Sequence, residues 1–173
     1  MAHREAHLLN ATPLYTPDQR RRRDTTVWTL VQGVLAPLQF IVFLFSLWFV
    51  LRYLSTGTGE HIATVSVIVK TLVLYSIMVT GAIWEKVVFG RYLFAPSFFW
   101  EDVFSMLVLA LHTLYLIAVW QAWFGVVGQM WLALAAYAAY VINAGQFLWK
   151  LRLARLQSEP SAPTAVLANG AVQ

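Results

Sequence analysis

An all-α integral membrane protein, built as a bundle of four transmembrane helices, is the fold class this sequence predicts. Three observations carry that reading. Of 173 residues, 60% are hydrophobic and only 12% are charged, and the mean hydropathy is +0.64, whereas a soluble domain holds roughly twice that share of charge. The apolar residues gather into four runs, each long enough to cross a hydrocarbon layer about 30 Å thick. The basic residues avoid two of the three connections between those runs: the N-terminal arm, the central loop and the C-terminal tail hold ten of the twelve Lys and Arg. By the positive-inside rule both termini and the central loop then face the cytoplasm.

Residues 1–26 form a basic cytoplasmic arm without the apolar core of a signal peptide. Thr16-Pro17-Asp18-Gln19 has the pattern of a helix start, with Thr as N-cap, Pro in the first turn and Gln reaching back. A short juxtamembrane helix through Arg20–Arg23 follows, and Asp24, Thr25 or Thr26 can cap the first span. The four spans of the 27–149 transmembrane domain are read as about 27–53, 61–84, 101–123 and 129–149. In span one Gln32, Ala36, Gln39, Phe43 and Ser46 share a face, open both to interhelical hydrogen bonding and to ligand contact. Pro37 should kink that helix near Gly33.

Span two carries Lys70. A lysine at mid-bilayer costs about 2.5–3.5 kcal/mol on insertion scales, which the Ile, Val and Leu around it can offset. Lys70, Leu74, Ile77, Gly81 and Glu85 share one face, and Gly81 permits close approach of a helix or ligand. Span three aligns Glu101, Ser105, Val108, His112 and Tyr115. His112 lies eleven residues beyond Glu101, about 16 Å along a helix, at the depth of Lys70. Span four carries the stripe Tyr137, Tyr140, Asn143 and Gln146. The 150–173 tail is basic and then rich in Ser, Pro and small residues, a composition that stays disordered.

The stretch Thr80–Phe104, TGAIWEKVVFGRYLFAPSFFWEDVF, places Glu85, Lys86, Arg91, Glu101 and Asp102 among Trp84, Tyr92, Phe98, Phe99 and Trp100. Charged groups wrapped in aromatics between two apolar spans mark a candidate site at the membrane surface. Interfacial capping and ion pairs with Lys86 and Arg91 are the alternative for the three carboxylates. For His112 the alternatives are a hydrogen-bonded core histidine, a proton carrier, or an axial ligand to a metal macrocycle. The absence of cysteine excludes disulfides, thiolate metal sites and CxxC redox chemistry. One intramembrane histidine is too few for a di-iron oxygenase or a bis-His haem site. No repeated, broken helices suggest a transporter, and the basic run is a topology signal rather than a nucleic-acid footprint.

The segments YTPDQRRRRD, WTLVQGVLAPLQF, ATVSVIVKTLVLYSIMVTGAIWEKVVFGRYLFAPSFFWEDVFSMLVLALHT and LALAAYAAYVINAGQFLWKLRLARLQ resemble the bacteriochlorophyllide C3-vinyl hydratase family, over about residues 15–157. The resemblance implies a hydro-lyase in the inner, intracytoplasmic membrane of a phototrophic bacterium. Such an enzyme adds water to the C3-vinyl group of chlorophyllide a or a close bacteriochlorophyllide, giving a 1-hydroxyethyl group. It implies no cofactor beyond the Mg that the substrate carries, and other enzymes of the pathway as possible partners. No family residue roles come with it.

Hydration of a vinyl group needs a protonated acid, a water and a flat apolar slot. On this reading Glu85 or Asp102 is the acid, and Glu101 with a water is the base. Lys86 or Arg91 pairs the substrate propionate, and His112 ligates the substrate Mg, directly or through water. Lys70, Trp84, Trp100, Tyr140 and Asn143 complete the substrate-binding set. A non-catalytic pigment carrier or assembly protein would use the same aromatics and His112, and a small channel is a weaker third option.

Overall fold

The computed structural model describes residues 14–156, which form five helices and, among those residues, no strand. They are α1 (Pro17–Thr25), α2 (Val27–Thr56), α3 (Glu60–Phe89), α4 (Phe99–Trp120) and α5 (Gly125–Leu156). The last four are apolar and long enough to cross a membrane. Most of their large side chains, such as Leu30, Phe45, Trp48, Leu72 and Trp131, point outward, as lipid-facing surfaces do. The expected residues 1–13 of the arm and 157–173 of the tail lie outside the described residues.

Local chemistry sets the helix ends. Thr16 Oγ1 accepts from the Gln19 amide at 3.3 Å while Gln19 Oε1 accepts from the Thr16 amide at 2.9 Å, a complete capping box. Thr26 caps α2. The α2–α3 turn closes on Gly57 and Gly59, both left-handed, and α3 stops at left-handed Gly90. Pro37 is accommodated inside α2, which runs on unbroken through Thr56. At 30 residues, α3 is about 45 Å long, well beyond the hydrocarbon thickness. Its last turns therefore carry Glu85 and Lys86 as helix residues, past the expected end at Trp84. Likewise α5 continues past Trp149, so Lys150 is helical rather than the start of a tail.

The helices form two close antiparallel hairpins, α2 with α3 and α4 with α5. Between hairpins, α3 lies beside α4 and α2 beside α5, closing a ring around a common core. That core mixes apolar and polar groups. Phe43 packs edge-on to Tyr137 at 5.4 Å and against Tyr140 at 5.0 Å. Ser46 Oγ meets Tyr137 OH at 2.6 Å and Ser66 Oγ at 2.8 Å. Tyr75 OH meets Thr113 Oγ1 at 2.7 Å. Gln32 passes over Gly81 and donates to Thr80 Oγ1 at 2.7 Å, so the close approach at Gly81 is used by a side chain of the neighbouring helix.

A second cluster closes the end of the bundle that carries α1 and the loop between α3 and α4. Tyr15 stacks on Phe89 at 5.7 Å and tilts against Phe98, with Val88 buried beneath. Arg23 lies over the Tyr15 ring at 4.8 Å, and Ser97 Oγ donates to the Leu14 carbonyl at 3.0 Å. Burial raises the Tyr15 phenol above its ordinary pKa, with the Arg23 charge opposing. The N-terminal segment is thus strapped onto the loop. Tyr15→Ala should empty this pocket and cost about 3 kcal/mol, read as a lowered Tm in detergent by Trp84 fluorescence. Tyr15→Phe should stay within about 1 kcal/mol of the parent.

Candidate active site

Three carboxyl groups converge where α3, α4 and the 90–98 loop meet. Glu85 comes from the late turns of α3, and Glu101 and Asp102 from the first turn of α4; all three are buried. Carboxyl groups suit the positive end of a helix, which explains the two on α4. The loop supplies the rest. The Phe94 amide donates to Asp102 Oδ2 at 2.7 Å and the next amide, Ala95, to Glu85 Oε2 at 3.4 Å. To present that amide Phe94 adopts a left-handed backbone, φ 59°, which costs a residue other than glycine about 1–2 kcal/mol. Pro96 follows, and the chain returns to helix at Phe99.

The carboxyls divide into two kinds. Glu85 and Asp102 are hydrogen-bonded to one another. A carboxylate has no hydrogen to donate, so this contact holds a proton between the two. Glu101 Oε2 instead receives Lys150 Nζ at 2.6 Å in a partly buried ion pair, an arrangement that keeps Glu101 as a carboxylate. The same site therefore presents an acid and a base side by side.

Aromatic rings wall it. Phe98, 2% exposed, contacts Trp84 at 5.9 Å, Phe89 at 5.7 Å and Phe147 at 5.9 Å. Lys150 Nζ sits 5.0 Å over the Phe98 ring, and Trp84 is fixed by donating to Thr29 Oγ1 at 2.9 Å.

Beneath the cluster a polar column descends through the bundle. Asn143 Nδ2 donates to Ser105 Oγ at 2.8 Å, one turn below Glu101. Deeper, Lys70 Nζ meets His112 Nε2 at 2.7 Å, both residues fully buried. His112 Nδ1 lies 2.8 Å from the Val108 carbonyl, which can only accept, so Nδ1 carries the hydrogen and Nε2 takes a proton from the amine. The ring faces of Tyr140 and Tyr137 lie 4.3 and 5.5 Å from Lys70 Nζ.

Some of the residues singled out from sequence stand apart. Both His112 nitrogens are engaged, so ligating the substrate's Mg would require Lys70 to give up its bond. Lys86 donates to the Gly90 carbonyl at 2.9 Å and lies 5.3 Å from the Tyr92 ring; it and Arg91 are exposed and make no ion pair with the three carboxylates among the described contacts. Trp100 points away from the cluster, 67% exposed. An open apolar hollow of about 450 Å³ on the outer face of α2, among Ile41, Leu44, Phe45, Trp48 and Phe49, is remote from all of these polar groups. Sequence reasoning passed over Lys150, Phe147, Tyr15 and the two loop amides. Lys150 was detectable: it continues the stripe Tyr137, Tyr140, Asn143 and Gln146 by one more turn.

Comparison with known proteins bears on this arrangement. The family profile described as 2-vinyl bacteriochlorophyllide hydratase matches residues 15–153. A relative of that name from Cereibacter sphaeroides is 68% identical over 148 residues, covering 84% of this chain and 91% of the relative. Another, from Rhodobacter capsulatus, is 63% identical over 160 residues, covering 91% of this chain and 92% of the relative. No solved structure matches. The chain belongs to the 2-vinyl bacteriochlorophyllide hydratase family.

Proposed function

We propose that this protein is a hydro-lyase that adds water across the vinyl group of a chlorophyllide or bacteriochlorophyllide, producing a 1-hydroxyethyl pigment. The substituent called 2-vinyl in the family's name is the C3-vinyl group in the other common ring numbering. The observation that carries the reading is the proton held between Glu85 and Asp102 beside the Lys150-paired Glu101, inside an aromatic enclosure.

Catalysis on this arrangement runs in two steps. The Glu85–Asp102 pair delivers its proton to the terminal vinyl carbon. The electron pair of the double bond forms the new C–H bond, and the cation left on the adjacent carbon is delocalised into the macrocycle. Water attacks that carbon, and its proton passes to Glu101 and from there back to the pair. Nothing is oxidised or reduced, and no group beyond the substrate's own Mg is called for. Lys150 acts as a positioning residue that holds Glu101 anionic and oriented. Trp84, Phe98 and Phe147 offer flat surfaces for the pigment.

Topology follows the basic residues: both termini and the 90–98 loop face the cytoplasm, in the inner membrane of a phototrophic bacterium. Lys86 and Arg91, exposed beside the mouth, pair the pigment's free propionate at that surface. Product then passes to other enzymes of the pathway.

Purified protein given chlorophyllide a in ¹⁸O-water should place label in a new hydroxyl group; unchanged bound pigment would instead mark a carrier. Glu85→Gln and Asp102→Asn should each lower turnover at least about 100-fold while the protein still inserts, and near-full activity in both would remove the acid assignment. Lys150→Met should reduce turnover about tenfold, with much of it regained in Lys150→Arg, which preserves the ion pair. Esterifying the propionate should raise KM, and Lys86→Gln with Arg91→Gln should abolish the difference between acid and ester.

A further inference from the structure

Three amide oxygens inside the bundle have no hydrogen-bond partner: Gln39 Oε1, Asn143 Oδ1 and Gln146 Oε1. Gln39 is 3% exposed and Asn143 9%. Their positions are related. Across the boundary between α2 and α5, Ser46 bonds Tyr137 and, one turn nearer the carboxyl end, Phe43 packs on Tyr140. The helices are antiparallel, so the next turn in the same direction brings Gln39 on α2 level with Asn143 on α5, and Gln146 follows one turn on. Asn143 spends its amide nitrogen on Ser105 Oγ, which leaves its oxygen as an acceptor. Buried acceptors without donors are costly in an apolar interior, and three on one seam point to a small shared donor. A Mg-bearing macrocycle has no ring N–H to offer them. Water has two hydrogens, fits between side chains, and is the second substrate of hydration.

We propose that the α2–α5 seam at Gln39, Asn143 and Gln146 is the bound-water site that supplies the hydroxyl oxygen. The inference rests on the hydration reading and adds where the water waits. Ser105 joins Asn143 to the turn that carries Glu101 and Asp102, and Gln146 lies one turn from Lys150, the partner of Glu101. A water leaving this seam therefore reaches the carboxyl cluster within one to two turns. There its oxygen lone pair forms the C–O bond to the vinyl-derived cation, and one of its protons goes to the Glu101 carboxylate.

Radiolytic hydroxyl labelling of the intact protein in nanodiscs, in ¹⁸O-water and without pigment, reads bound water directly. Phe43 and Tyr140, although buried, should take up label, and Gln39→Met with Gln146→Met, close in shape but poorer acceptors, should cut that uptake at least fivefold. The same variant should lower turnover about tenfold while the pigment's Kd, from absorbance titration, stays unchanged. Wild-type Phe43 and Tyr140 no more labelled than in the variant would overturn the site, as would unchanged turnover in the variant. Because labelling is read without pigment, its result is independent of whether the chain hydrates a vinyl group.

Discussion

The amine of Lys70 sits midway along an apolar helix, where bulk water is out of reach and a polar group must find its partner in the protein. Its partner is the Nε2 of His112, on the other hairpin. The bond obliges α3 and α4 to lie side by side in one register, and Ser46–Tyr137 does the same for α2 and α5. Between two hairpins coated in side chains as apolar as lipid, such polar contacts decide which faces turn inward. The column they build continues upward to Ser105, Asn143 and the carboxyl cluster. The cost of inserting Lys70 is thereby tied to the alignment of the site.

At the top of the column, charge is sorted by neighbours rather than by residue type. Glu101 and Asp102 are adjacent in sequence and start the same helix. Glu101 faces Lys150 on α5, while Asp102 faces Glu85 on α3 and a backbone amide of the loop. One becomes a stable anion and the other shares a proton. The loop carries backbone strain at Phe94 to deliver its amide, and the aromatic strap from Tyr15 packs over the same loop. Strain of that kind persists where the surroundings over-determine it, and here the Tyr15–Phe98–Phe147 cluster does so.

Much of the architecture was legible from one sequence, because lipid imposes a simple grammar: four apolar runs, Gly turns between them and capping residues at Thr16 and Thr26 mark the helices almost unaided. The inward faces were legible too, since Lys70, His112, Ser105, Asn143 and Glu85 fall at helical spacing. Helix ends were less so. The polar ends of α3 and α5 continue as helix beyond the hydrocarbon, where hydropathy no longer distinguishes helix from loop.

By itself the sequence determined the membrane class, the helices, the family and the set of polar residues turned inward, since each depends on composition, periodicity or motif along a single chain. Only the tertiary structure decided how those residues pair. That Lys70 answers His112, that Glu85 shares a proton with Asp102, and that Lys150 takes Glu101 depend on the rotation and register of packed helices. No local pattern encodes the distance between side chains that lie 17, 42 or 49 positions apart.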